Sequence, residues 1–271
     1  MNAGLSQPEQ WAQGDAYEPY VGRWSRLIAL RFLQWLAVPA RAAWLDVGCG
    51  TGALSQTILD TAAPTHVKAI DSSQAYLDYA RRRLKDERLS LELGNAQNLT
   101  AAPDTYGAAV SGLVLNFVPQ PAKMIAEMKR VVRPGGAVAL YVWDYAGKMQ
   151  FMRHFWNAAA ALDPAAGDFD EGRKFPICDP DALEEVFTAA GLSSVDVIPI
   201  DIDTYFRNFD DYWGPFEGGQ GPAPAYLMSL TKEARGRLRD RVLDALPFAV
   251  DGSIPLVARA WAVKGQKAKA S

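Results

Sequence analysis

The chain is 271 residues long, 49% apolar and 22% charged, with a formal net charge of -3 at neutral pH. That length buries one large core or two modest ones, and the mild acidity argues against a protein built around nucleic acid, which usually carries a basic patch or a high pI, while leaving room for a local basic groove. Cys49 and Cys178 are too few for a disulfide framework or a cysteine metal cluster. No apolar run reaches the length of a membrane span, and the polar residues 1–20 lack the basic-then-apolar pattern of an export signal, so a cytoplasmic protein is expected.

Trp24 to Leu36 places Leu27, Ile28, Leu30, Phe32, Leu33 and Leu36 at near-helical spacing and ends before Pro39, which predicts a helix leading into the fold. Trp44, Leu45 and Val47 suit a strand buried on both faces. Gly48-Cys49-Gly50-Thr51-Gly52 then sets three glycines at alternate positions, where the backbone can approach a ligand with no Cβ in the way. The helix from Ala53 to Thr61 points its unpaired N–H groups at whatever that turn holds.

A second strand, Val67 to Ile70, ends on Asp71. Ser73 can cap the next helix, which turns Ala75, Tyr76, Tyr79, Ala80 and Leu84 toward the sheet and ends in the solvated run Arg81-Arg82-Arg83. Strands follow at Leu89 to Leu93 and Gly107 to Leu115. Pro121 opens a helix striped by Met124, Ile125, Met128 and Val131. Arg133-Pro134-Gly135-Gly136 stops it, and Ala137 to Trp143 is a fifth strand.

Residues 148–161 read as helix, 163–178 as loop, and Asp179-Pro180-Asp181 caps a helix ended by Gly191. A strand at Val195 to Ile202, an aromatic stretch and a strand at Ile254 to Val263 complete the order. Strands alternating with helices through short loops imply parallel pairing and a doubly wound α/β sheet.

The glycine turn, with Asp46 before it and Asp71 after the next strand, closely resembles the first motif of class I S-adenosylmethionine-dependent methyltransferases of the small-molecule type. A dinucleotide fingerprint spaces its glycines G-x-G-x-x-G, whereas this chain reads G-x-G-x-G. The likeness runs motif by motif over 41–144 and by layout over 179–264. It implies a Rossmann-like seven-stranded sheet whose last strand is antiparallel and inserts beside the fifth. An N-terminal helical cover would occupy residues 1–40, the methyltransferase domain 41–264, helical and aromatic cap insertions about 145–178 and 205–250, and a flexible tail 265–271.

The resemblance implies S-adenosyl-L-methionine as cofactor and S-adenosyl-L-homocysteine as product. Gly48, Gly50 and Gly52 would approach the amino acid end, and Asp46 would reach its ammonium. Asp71 matches the acid that accepts from both ribose hydroxyls. Asn95 stands where the family has an aspartate for the adenine amino group; an amide oxygen accepts that bond more weakly. Ser72 and Ala96 would flank the ring, and Leu113, in the segment Ser111 to Phe117, would lie beneath the methionine part. Tyr20 is the expected aromatic cover, with Tyr17 and Trp24 as alternatives. The family's aromatic-aspartate pair before strand four is replaced by Tyr106-Gly107, away from the expected site.

Methyl transfer from a sulfonium is an in-line displacement that needs positioning and a dry pocket, and a base only where the acceptor must lose a proton. His154, inside the expected cap, and Asn116 are the catalytic candidates; His66 lies at the wrong end of the sheet. Tyr17, Asn116, Trp143 and Phe151 are candidates for the substrate pocket, with Asp144 and Tyr145 beside them. The cap aromatics suggest a small organic acceptor, aromatic or isoprenoid-like. Asp210, Asp211 and Glu217 read as solvated acids, and no metal, nucleic acid or membrane partner is expected. An NAD(P)-dependent oxidoreductase and a cofactor-binding, non-catalytic family member are the competing readings; the glycine spacing disfavours the first, and the intact glycines, Asp46 and Asp71 disfavour lost binding. The acceptor, the atom methylated and the oligomeric state stay open.

Overall fold

Trp24, Ile28, Ala29, Phe32, Leu33 and Leu36 share one face of the first described helix, α1 (Arg23–Leu36), and burying that face fixes the helix on the sheet. The computed structural model describes residues 22–218 and 221–269. In chain order, β1 (Ala43–Val47), α2 (Ala53–Thr61), β2 (His66–Asp71), α3 (Gln74–Arg83), β3 (Leu89–Leu93), β4 (Tyr106–Gly112), α4 (Pro121–Val131) and β5 (Val132–Trp143) build the parallel part. Then come α5 (Gln150–Leu162), α6 (Glu171–Lys174), α7 (Pro180–Ala189), β6 (Ser193–Phe206), α8 (Phe209–Trp213), α9 (Pro222–Ser229), α10 (Lys232–Ala245) and β7 (Ile254–Gln266).

The seven strands lie in the order β3-β2-β1-β4-β5-β7-β6. Neighbours from β3 to β5 pair parallel, and β7 runs antiparallel between β5 and β6. The sheet is the doubly wound one expected, with the last strand inserted beside the fifth. Strand order reverses between β1 and β4, so the crevice beyond their carboxyl ends is the place where such sheets hold ligands.

Local chemistry sets several boundaries. The Ser73 hydroxyl accepts from Tyr76 N–H, and the Asp179 carboxylate accepts from Asp181 and Ala182 N–H, capping α3 and α7. Strand β4 stops at Gly112, short of the Leu115 expected, because Leu113 takes φ 63° and the chain winds into a 3₁₀ turn at Leu115–Phe117. Residues 163–178 are not loop throughout: a 3₁₀ turn at Pro164–Asp168 and α6 occupy them, each opened by an aspartate cap. Strand β7 continues to Gln266, into the expected tail, because Gln266 still pairs with Ala137. Tyr76, expected toward the sheet, instead borders a cavity that the glycine turn also lines, and Leu77 is buried in its place.

The two insertions form a single cap. Helix α5 packs against α9, α10 and β7. At its centre Phe216 stacks on Phe155 with ring centroids 4.6 Å apart and on Phe151 at the same separation, and the Tyr212 hydroxyl donates to the Phe151 carbonyl at 2.7 Å. Among the described residues no helix is long and apolar enough to cross a membrane.

Because Phe155 is fully buried in this ring cluster, Phe155→Ala is expected to cost about 3–5 kcal/mol in chemical denaturation. Phe248→Ala, at a 42% exposed ring, is expected to stay within about 0.5 kcal/mol.

Candidate functional site

The turn after β1 is held by the tip of β2. Gly48 N–H and Cys49 N–H both donate to the Ile70 carbonyl, at 2.8 and 2.9 Å. Gly50 N–H donates to Asp71 Oδ2 at 2.8 Å, and Ser73 N–H donates to Oδ1 at 2.8 Å. Asp71 therefore ties the glycine turn to the start of α3, and its carboxylate keeps acceptor capacity beyond these bonds. Burial pushes its pKa up, against the lowering effect of the backbone N–H groups of Ser73, Gly50 and Ser72.

The three glycines have different surroundings. A Cβ on Gly48 would lie 2.6 Å from Val114 Cγ2, and one on Gly52 2.5 Å from Leu84 Cδ1, so both let protein pack against the turn. At Gly50, with φ +53°, a Cβ would meet nothing within 4 Å, which leaves open space above that backbone.

Asp46 lies beneath the turn and has no exposed surface. Its Oδ2 accepts from the Ser55 hydroxyl at 2.6 Å, while Oδ1 has no partner among the described residues. Burial is the main cause that pushes its pKa up to about 7, and the charge of Asp71 adds to it.

Two cavities meet here. One of about 200 Å³ is bordered by Asp46, Gly48, Gly50, Asp71, Ser72, Leu113 and Trp143, and also by Tyr141, Tyr145, Phe175 and Glu171. The other, of about 160 Å³, is bordered by Asn95, Ala96 and Gln97. Gly48, Asp71, Ser72, Val114 and Phe117 face both. The Asn95 side-chain oxygen accepts from Gln97 N–H at 2.8 Å, which leaves it one lone pair.

Several expected residues lie elsewhere. Phe151, His154 and Asn116 do not border the main cavity. Helix α5 turns Met152 to the cavity; at about 100° per residue, Phe151 then faces the cap core and His154 the opposite side. His154 is half-buried, and burial lowers its pKa. Asn116 is set aside by the 3₁₀ turn, its side-chain amide without a partner among the described residues. Asp144 accepts from Gly147 and Lys148 N–H and so closes a turn. Asp210 and Glu217 are exposed, as expected of solvated acids, with Arg239 3.7 Å from the first and Trp213 Nε1–H donating to the second, whereas Asp211 is partly buried and pairs with Arg23 at 3.1 Å. His66 shares a hydrogen bond with Ser90 at the far end of β2. Tyr17 and Tyr20 lie outside the described residues. Of the cap aromatics, Phe175 borders the cavity, whereas Phe151, Phe155, Phe206, Tyr212 and Phe216 are fully buried in the cap's own core.

Tyr141 and Glu171 are not legible as site residues from the chain order above. Tyr141 had a signal: it shares a strand face with Trp143, two residues on. A side chain on Gly112 would lie 2.4 Å from the Tyr141 hydroxyl, so that glycine lets the ring lie across the end of β4. Glu171 had none, since its position depends on helix α6.

Residues 45–140 match the family described as "Methyltransferase domain". The demethylmenaquinone methyltransferase of Bacillus velezensis is 32% identical over 179 residues, 60% of this chain and 76% of that protein. Its counterpart from Halalkalibacterium halodurans is 38% identical over 98 residues, 35% of this chain and only 40% of that relative's length. Among solved structures, phosphoethanolamine N-methyltransferase 2 of Haemonchus contortus, in complex with S-adenosyl-L-methionine, has a TM-score of 0.60 at 16% identity, covering 94% of this chain and 56% of that one. That is a likeness of fold.

Asp46 and Glu171 both titrate near 7 when folded, against about 4 for ordinary carboxylates. Between those values the folded state binds more protons than the unfolded, so these acids lower stability as pH rises through that window. Thermal unfolding of the ligand-free protein at pH 5 and pH 8 is expected to show this loss, and Asp46→Asn with Glu171→Gln to reduce it.

Proposed function

The chain belongs to the class I S-adenosylmethionine-dependent methyltransferases, and on that premise we propose that it transfers a methyl group from S-adenosyl-L-methionine to a small, uncharged, apolar or aromatic acceptor. The observation that carries this reading is the pair of buried carboxylates on either side of Gly50, one with an unpartnered oxygen. They fit the cofactor's donors. The Asp71 carboxylate is an acceptor for neighbouring ribose hydroxyls, Asp46 Oδ1 suits a cationic ammonium, and the open space above Gly50 admits the chain between them. The cavity at Asn95, Ala96 and Gln97 suits a flat heterocycle, which Asn95 can still accept from.

When bound, S-adenosylmethionine supplies an electrophilic methyl group on a sulfonium. The protein's part is to hold the acceptor in line and to keep water out. Tyr141, Trp143, Tyr145 and Phe175 make the wall that does so, and Trp143 and Tyr141 are 1% and 2% exposed. The described lining contains three carboxylates and no lysine, arginine or histidine, which disfavours an anionic acceptor. An apolar ring is also what the name of the demethylmenaquinone relatives describes for them. The glycine spacing and the comparisons disfavour the oxidoreductase reading.

Calorimetric titration tests the assignment. S-adenosylmethionine and S-adenosylhomocysteine are expected to bind and NADH not to. Asp71→Ala removes two charge-assisted hydrogen bonds of about 1.5–3 kcal/mol each, so affinity for both sulfur ligands is expected to fall about a hundredfold or more. Binding of NADH alone would sink the proposal.

A further inference from the structure

Helix α6 is a single turn, yet its first residue is 1% exposed and borders the main cavity. Four contacts fix it there. Asp170 caps the turn by accepting from Gly172 N–H at 2.8 Å and also pairs with Arg153 of α5. Gly172 packs against the Tyr145–Ala146 backbone so closely that a Cβ would lie 2.9 Å from Ala146 Cα. The Trp156 indole N–H donates to Glu171 Oε2. Glu171 Oε1 is left buried with no partner among the described residues.

An unpaired, buried carboxylate oxygen beside a cavity walled by aromatic side chains is costly unless something completes it. Asp46 and Asp71 sit under the glycine turn. Glu171 comes instead from the cap, in company with Tyr145, Phe175 and Met152.

Resting on the methyltransferase reading above, we propose that Glu171 is the acceptor-binding carboxylate, and that the acceptor is an apolar ring bearing a hydroxyl group whose O–H donates to Oε1. On transfer the acceptor oxygen gains the methyl group and gives its proton to Oε1. The electron pair of the broken carbon–sulfur bond stays on sulfur, and the proton leaves to water when the product departs. Burial, the main cause, pushes Glu171 up to about 7, its own backbone N–H, Trp156 and Arg153 lowering it and Asp170 raising it, so the group can both hold and release a proton near neutrality.

The test uses the full chain saturated with S-adenosylhomocysteine and three probes: 2-naphthol, 2-methoxynaphthalene and 1-naphthylmethylamine. The parent is expected to bind 2-naphthol about tenfold or more tightly than its methyl ether, the worth of one charge-assisted hydrogen bond. Glu171→Gln, which keeps the shape and loses the charge, is expected to bring that ratio toward one while leaving S-adenosylhomocysteine affinity within about threefold. Glu171→Asp, one methylene shorter, is the second variant and is expected to fall between them.

An equal ratio in parent and Glu171→Gln, no preference or no naphthol binding in the parent, or tighter binding of the ammonium probe than of naphthol overturns the proposal. Failure of S-adenosylhomocysteine to bind the parent overturns the methyltransferase reading itself, a separate result.

Discussion

The site depends on one carboxyl group. Asp71 ends β2 and receives an N–H from the glycine turn on one oxygen and an N–H from the start of α3 on the other. Three pieces of backbone are thereby held at the strand-order reversal, where parallel strands leave their carboxyl ends open. The glycines serve the same arrangement in different ways. Gly48 and Gly52 let Val114 and Leu84 pack onto the turn, while Gly50 faces open space.

Charge is the second constraint. Asp46, Asp71 and Glu171 border one cavity, and all three are shifted upward chiefly by burial. Without a ligand such a cavity is an unfavourable place for negative charge. A ligand carrying positive charge and hydroxyl donors meets those carboxylates with partners they lack. The described lining holds no lysine, arginine or histidine to offset them.

The cap separates stability from chemistry. Its stacked rings, Phe151, Phe155, Phe206 and Phe216, are all fully buried and hold the two insertions together. On that base, Trp156 of α5 reaches Glu171, and Gly172 seats α6 on the Tyr145–Ala146 backbone that follows β5. An apolar layer thus places one polar group on the cavity that the glycine turn also borders.

The fold was legible from the chain because its signals are local. Buried strands at Trp44–Val47 and Val67–Ile70, the glycine turn, Pro121 opening α4 and the Asp179 cap each act within a few residues, and their alternation fixes a doubly wound sheet. Asp46 and Asp71 were legible as candidates for the same reason, since each sits at a strand end defined by its own neighbours. The acceptor side was not. Which face of α5 meets the cavity follows from how the cap packs, and it turned Met152 inward while Phe151 and His154 went elsewhere. Glu171 owes its place to Trp156, Arg153 and the Tyr145–Ala146 backbone, partners between 15 and 26 residues away in sequence. Periodicity carries no record of such contacts, so the sequence by itself determined the sheet and the candidate carboxylates of the glycine turn, and tertiary packing alone decided what faces them.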